Sequence, residues 1–161
     1  MTVQDLLPEP VSFAMKLLIR SDEPDKVQEG YSRLKALADG GEMAAAACLG
    51  YAYQFDHFDF YDLDACREYL QKAVEAENII GQYYLGMMLY MGEKPFAEDK
   101  VYGKWLLDQA QNSGLKEAIV FWDNIHRKLT PKEARKMVRK ARLVLFWEAI
   151  KKPFRRRADD E

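Results

Sequence analysis

Two stretches of this chain align with each other at a distance of 36 residues: AAACLGYAY at 45–53 and GQYYLGMML at 81–89. The stretches that follow them, DLDACREYLQKAVEAE at 62–77 and DKVYGKWLLDQAQNSG at 99–114, align at a distance of 37 residues. A period of this length, carried by apolar and small residues, is the signature of an array of stacked helix pairs. The repeat therefore predicts an all-α fold, a short α-solenoid of helix-turn-helix repeats.

Hydrophobic periodicity favours helices along almost the whole chain, because apolar residues recur at intervals of three and four and strict alternation is scarce. Glycine and proline lie mainly at the ends of these windows, where helices start or stop. The pattern predicts eight helices, at residues 11–20, 24–39, 42–55, 62–77, 79–91, 99–113, 115–127 and 131–152. Their short connections predict that consecutive helices pack as antiparallel hairpins.

Small residues stand beside large apolar ones in both copies of the repeat. Glycine inside a helix costs about 1 kcal/mol relative to alanine, so a glycine after the leucine of each copy indicates that helix backbones approach closely there. We predict that the packing contacts between helix pairs are made by Leu49, Gly50, Tyr53, Ala73, Leu85, Gly86 and Ala110.

The repeat resembles the Sel-one-like repeat family, relatives of the tetratricopeptide repeats, whose motif runs A-x3-L-G-x2-Y-x2-G, a short loop, then D-x3-A-x2-W-x3-A-A-x2-G. The first copy retains Ala45, Leu49, Gly50, Tyr53, Asp62 and Ala73, and the second retains Leu85, Gly86, Gly92, Asp99, Ala110 and Gly114. The departures are Asp56, Glu77, Gly81, Leu89, Gly103 and Leu106. The resemblance covers residues 40–118 and implies a right-handed superhelix that acts as a protein-binding scaffold, without catalytic chemistry.

The repeat divides the chain into five segments. Residues 1–41 are predicted to form an N-terminal helical pair, a degenerate repeat or cap, ahead of two Sel-one-like repeats at 42–78 and 79–114. Residues 115–152 are predicted to form a C-terminal helix pair that includes a basic capping helix, because the ends of such arrays need a polar outer face. Residues 153–161 are predicted to be a flexible tail, first basic and then acidic.

The segment QFDHFDFYD at 54–62 places one histidine and three aspartates among four aromatic residues. Three interpretations apply to it: a metal or catalytic site, a loop that contacts a partner, or a solvated loop whose rings pack inward. The spacing lacks a fixed metal-ligand template, and the alignment places the segment in the loop between two helices of one unit. Loops vary where partners differ, and aromatic residues are enriched at interfaces. The candidate partner contacts are Asp56, His57, Phe58, Asp59, Phe60, Tyr84 and Trp105.

Sequence signals of catalysis are missing. There is no G-x-S-x-G nucleophile elbow and no glycine-rich phosphate loop. The two cysteines, Cys48 and Cys66, fall on apolar helix faces and are expected to be reduced, small core residues. We therefore expect a non-enzymatic protein that uses no cofactor, metal or small-molecule substrate.

Charge is unevenly distributed along the chain. Residues 1–126 contain 21 Asp and Glu against 11 Lys and Arg, a net charge of −10, whereas residues 127–157 contain 13 Lys and Arg against 2 Glu, a net charge of +11. The basic face of the predicted helix at 131–152 consists of Arg135, Lys136, Arg139, Lys140 and Arg142. This helix is expected to cap the array; the alternative is that residues 127–157 bind an anionic membrane surface or nucleic acid.

The N-terminal sequence MTVQDLLPEP lacks the cationic start and long apolar run of a signal peptide. The uncharged runs at 43–55 and 79–92 are too short to cross a bilayer, so a cytoplasmic location is expected. The predicted function is a non-catalytic scaffold for protein–protein interaction. A concrete form, by analogy with the family, is a bacterial inhibitor or immunity protein that binds a toxin, a secreted effector or another basic protein.

Overall fold

A computed structural model describes residues 1–21, 23–56 and 58–126. Within these residues all regular elements are helices and none is a strand, which confirms the all-α prediction for this part of the chain. The helices are α1 (Val3–Leu6), α2 (Glu9–Arg20), α3 (Pro24–Asp39), α4 (Met43–Ala52), α5 (Leu63–Glu75), α6 (Ile79–Met91), α7 (Lys100–Asn112) and α8 (Lys116–His126). Over the described ranges, no helix is both long enough and apolar enough to cross a membrane. The predicted helix at 131–152, its basic face and the tail at 153–161 lie outside the described residues.

Helix ends differ from the prediction near two loops. α2 begins at Glu9 rather than at residue 11. Pro10 fits into its first turn because the N–H that proline lacks would have no acceptor within the helix there. α4 ends at Ala52 rather than at residue 55, which leaves a longer connection before α5. The short helix α1 is absent from the prediction. Thr2 and Asp5 cap its N-terminus with a reciprocal capping box.

Packing follows the order of the helices along the chain. Each helix from α2 to α7 contacts the next one, and α4 also contacts both α2 and α6. α4 is therefore surrounded, and every residue of it after Met43 is buried. This explains why its sequence is apolar all round, whereas α2, α3 and α5 each carry one buried and one exposed face.

The same left-handed turn ends α3, α5 and α7, and a further one, at Gly92 (62°) with Glu93 N bonded to Met88 O at 2.9 Å, ends α6 outside the repeat period. Its central residue has a positive φ in all three places, at Gly41 (97°), Glu77 (55°) and Gly114 (82°). The N–H of the following residue bonds back to a carbonyl of the finished helix: Glu42 N to Leu37 O at 2.9 Å, Asn78 N to Ala73 O at 3.0 Å, and Leu115 N to Ala110 O at 3.1 Å. These turns are spaced by 36 and 37 residues. Glu77 therefore adopts the conformation that glycine adopts at the other two positions.

Two aspartates at equivalent positions begin α5 and α7. The Asp62 carboxylate accepts hydrogen bonds from the N–H groups of Asp64 at 2.9 Å and Ala65 at 3.0 Å. The Asp99 carboxylate accepts one from Tyr102 N at 2.9 Å. Both are N-cap residues, which satisfy N–H groups that the first helical turn leaves without an acceptor.

Helix backbones approach closely beside the two repeated glycines. A Cβ atom added at Gly50 would lie 2.9 Å from the Leu70 nitrogen, and one added at Gly86 would lie 2.9 Å from the Leu106 Cβ. Gly50 faces Tyr69 and Leu70 of α5. Gly86 faces Leu106 and Leu107 of α7, which are the equivalent positions one repeat later. The other predicted packing residues are all buried: Leu49, Tyr53, Ala73, Leu85 and Ala110.

Candidate partner-binding surface

The loop between α4 and α5 is anchored by its own aromatic rings. Phe58 is 9% exposed, and its ring stacks on that of Phe60 with a centroid distance of 4.6 Å. Phe60 in turn stacks on Tyr31 of α3 at 4.3 Å, and Tyr53 meets Phe60 edge-on at 5.9 Å. Such ring pairs add roughly 0.5–1.5 kcal/mol each beyond the area they bury. The rings therefore fix the loop against α3 and the end of α4.

Acidic side chains of the same loop point to solvent. Asp56 and Asp59 are exposed, on either side of the packed Phe58. His57 lies outside the described residues, so the metal interpretation that depends on it is neither supported nor opposed by its position. The loop thus combines inward-packed rings with an acidic outer edge. Whether these residues contact a partner stays a prediction.

A polar network ties α3 to α5 beneath this loop. The Tyr69 hydroxyl donates to one oxygen of Asp39, and the Lys35 ammonium donates to the other at 2.6 Å. The Lys35 hydrogen bond holds the pKa of Asp39 below its ordinary value, and burial raises the pKa of Tyr69. Nearby, the hydroxyls of Tyr31 and Tyr53 lie 3.2 Å apart, and burial raises the pKa of Tyr53. Neutral tyrosines that bridge helices in this way brace the fold.

Tyr84 belongs to a second group of rings, on α4 and α6. It stacks on Tyr51 with a centroid distance of 4.1 Å and an interplanar angle of 8°. Phe55 meets the Tyr51 ring edge-on at 5.4 Å. Burial raises the pKa of the Tyr84 phenol well above its ordinary value. One face of the Tyr84 ring is therefore already used inside the protein, and the side chain is only partly accessible to a partner.

Trp105 lies on α7 and is 52% exposed. Its ring stacks on Tyr102 of the same helix with a centroid distance of 5.9 Å. Val101, one turn earlier, is 83% exposed. The candidate contacts are thus distributed over the α4–α5 loop, α6 and α7, and the loop is the place where several of them are adjacent.

Cys48 and Cys66 are both buried, and no disulfide joins them. Burial raises the pKa of the Cys48 thiol to about 12, so the reactive thiolate is scarce at neutral pH. Cys66 is fully buried and occupies the repeat position that holds Gly103 in the next copy, where a small side chain is required. Neither residue has the exposed, electropositive surroundings of a reactive cysteine.

Metal-binding clusters are also missing from the described residues, where no three His, Cys, Asp or Glu side chains lie in a group that could hold an ion. Asp62, which ends the QFDHFDFYD segment, caps α5 instead.

The N-terminal residues are the ones that sequence reasoning missed. Val3 and Leu6 pack against the turn between α7 and α8, and Val3 N donates to the Glu117 carboxylate at 3.0 Å. The only local signal was the capping pattern of Thr2 and Asp5, which marks a helix start but not its distant contact. Comparisons of this chain with family models, with curated proteins and with solved structures found no match.

Proposed function

We propose that this chain is a non-catalytic scaffold for protein–protein interaction, a short right-handed α-solenoid of the Sel-one-like repeat type. The observation that carries the proposal is the recurrence of one left-handed turn at Gly41, Glu77 and Gly114, with the same backbone hydrogen bond after each. A structural unit that recurs at a fixed period and contacts mainly its neighbours is what a solenoid requires. The repeated close approaches at Gly50 and Gly86 support the same architecture.

Binding to a protein partner is supported by the form of the surface. Helix arrays present a large surface that is ordered before binding, so little entropy is lost when a partner docks. The α4–α5 loop exposes Asp56 and Asp59 above packed rings, and residues 1–126 carry a net charge of −10. An acidic surface of this kind favours a basic partner and speeds its association.

The concrete form that we favour is a bacterial inhibitor or immunity protein that blocks a toxin or secreted effector. It rests on analogy with the family, since a fold alone does not define a function.

The array is proposed to continue beyond α8. Val101 and Trp105 on α7, with Ile119 and Val120 on α8, are exposed large apolar side chains near the end of the described chain. The sequence at 131–152 has an apolar stripe at helical spacing. Residues 131–152 lie outside the described residues, so the capping role expected for this helix stays a prediction.

Affinity capture with the full chain tests the proposed function. The wild type is compared with Asp56→Lys/Asp59→Lys and with a matched control, Glu68→Lys/Glu75→Lys, which makes the same charge change at two exposed positions of α5. We expect the wild type and the control to recover one dominant protein partner. The loop variant is expected to bind it at least about tenfold more weakly, a loss of about 1.4 kcal/mol.

Two outcomes would count against these statements in different ways. Recovery of no protein partner by the wild type would contradict the scaffold function itself. Equal binding by the loop variant and the control would leave the scaffold in place but remove the α4–α5 loop from its contact surface.

A further inference from the structure

The N-terminal segment, residues 1–7, occupies an apolar seat at the far end of the helix array. Val3 and Leu6, three residues apart on α1, both pack there. The seat is formed by residues of α6, α7 and the start of α8, namely Ile79, Tyr83, Ala110, Leu115 and Ala118. Ala110, Leu115 and Ala118 are fully buried with the segment in place. The segment therefore covers a surface built by three other helices.

Hydrogen bonds tie the segment to α8 and to α2. Lys116 N donates to Met1 O at 2.9 Å, and Val3 N donates to the Glu117 carboxylate at 3.0 Å, both at the start of α8. The Gln4 side chain donates to the Ser12 hydroxyl of α2 at 2.8 Å. The segment is therefore tied both to α8 and to α2, the helix that follows it in the chain.

The segment leaves one polar group of the seat unsatisfied. Glu117 accepts the Val3 N–H with one carboxylate oxygen, and its other oxygen is buried with no hydrogen-bond partner within the described part of the chain. A buried carboxylate oxygen without a donor costs free energy, and a charged donor is the strongest remedy. A basic side chain placed beside this oxygen would therefore add a charge-assisted hydrogen bond.

The segment is also easy to displace. A helix of a single turn is unstable on its own, since nucleation is costly and few hydrogen bonds form. Val3 and Leu6 are only partly buried, and the segment joins α2 through Leu7 and Pro8, outside any helix. Its contacts compete with those of any ligand that fits the same seat.

We infer that this seat is the docking site for a segment of the protein partner, and that residues 1–7 occupy it as an internal competitor. The matching ligand is a short helical turn with two apolar side chains three residues apart and a basic side chain that reaches Glu117. The net charge of −10 over residues 1–126 favours such a basic segment. This inference rests on the proposed function and specifies where on the scaffold the partner binds.

Fluorescent peptides test the inference on the full chain. One probe has the sequence of residues 1–9, and the second carries Met1→Arg, because Met1 is exposed and its carbonyl bonds to Lys116 N, next to Glu117. The chain is compared as wild type, as Val3→Glu, which is expected to expel the segment, and as Ala97→Glu, which adds the same charge at an exposed site between α6 and α7. Hydrogen exchange of the Lys116 amide, which bonds to Met1 O, reports whether the segment has left the seat.

We expect Val3→Glu to exchange the Lys116 amide faster and to bind the native peptide at least about tenfold more tightly than wild type and Ala97→Glu do. The arginine peptide is expected to bind Val3→Glu about tenfold more tightly still, and Glu117→Gln is expected to abolish that preference. Unchanged peptide affinity after faster Lys116 exchange would overturn the inference. An arginine preference that survives Glu117→Gln would overturn it as well.

A milder variant covers the case in which Val3→Glu fails to fold. Leu6→Ala weakens the segment without adding charge and is expected to give a smaller change of the same sign; no change would count against the seat. Equal capture of the protein partner by wild type and Val3→Glu would refute the seat and leave the scaffold function standing. Peptide binding to the seat without capture of any protein partner would contradict the scaffold function and leave the seat standing.

Discussion

Gly103→Ala is expected to lower the free energy of unfolding by about 2–3 kcal/mol, although alanine is the better helix former. A Cβ atom at this position of α7 would lie 2.6 Å from the Tyr90 nitrogen and 2.8 Å from the Gly86 oxygen. Both are backbone atoms of α6, so the clash cannot be relieved by a side-chain rotation. The gain of about 1 kcal/mol in helix propensity is therefore outweighed by the separation of two helices.

The matched control for this change is Gly40→Ala. Gly40 is exposed and has φ −74° and ψ −2°, a conformation that alanine adopts freely. Its stability is expected to stay within about 0.5 kcal/mol of wild type. Urea unfolding followed by circular dichroism measures both variants. A Gly103→Ala protein that is more stable than wild type, as helix propensity alone predicts, would contradict the close packing of α6 on α7.

The second large effect concerns the contact between α5 and α6, which joins one helix pair to the next. A Cβ atom at Gly81 would lie 2.7 Å from the Ala73 Cβ and 3.2 Å from the Ala73 carbonyl carbon. Gly81→Ala is therefore expected to cost about 2 kcal/mol, because Ala73 is fully buried and cannot move aside. Ala73→Gly alone is expected to cost about 1 kcal/mol through lost helix propensity.

The double variant separates packing from propensity. In Gly81→Ala/Ala73→Gly the two methyl groups exchange places, so the main clash disappears. Its total cost is expected to fall short of the sum of the single costs by at least about 1 kcal/mol, as coupled neighbours show. The double-mutant cycle is measured by urea unfolding. Additive costs would mean that the two residues do not face each other.

The helices and their order could be predicted because their signals are local. Apolar spacing gave the helix windows, and Asp62 and Asp99 lie where an N-cap is expected. The positive φ of Glu77 could also be inferred, because the repeat aligns it with Gly41 and Gly114. A glutamate by itself gives no such indication.

The candidate sites were harder to predict because they depend on distant contacts. The contact of Val3 with Glu117 joins residues 114 positions apart, and no local pattern specifies it. The direction of Phe58 and Phe60 likewise depends on Tyr31, which lies on a preceding helix. Sequence spacing placed these rings in a loop but could not decide whether they face the core or solvent.

The threefold recurrence of one structural unit is tested most directly by the stability of three single variants. Each variant lies in the turn that ends one copy of the unit. Gly41 and Gly114 have positive φ, and a Cβ atom added to either would meet nothing within 4 Å, so alanine there changes only the backbone energy. We expect Gly41→Ala and Gly114→Ala each to lower the free energy of unfolding by about 1 kcal/mol, and Glu77→Gly to raise it by a similar amount. Loss of stability in Glu77→Gly, as for glycine placed inside a helix, would contradict the shared turn and the repeat built on it.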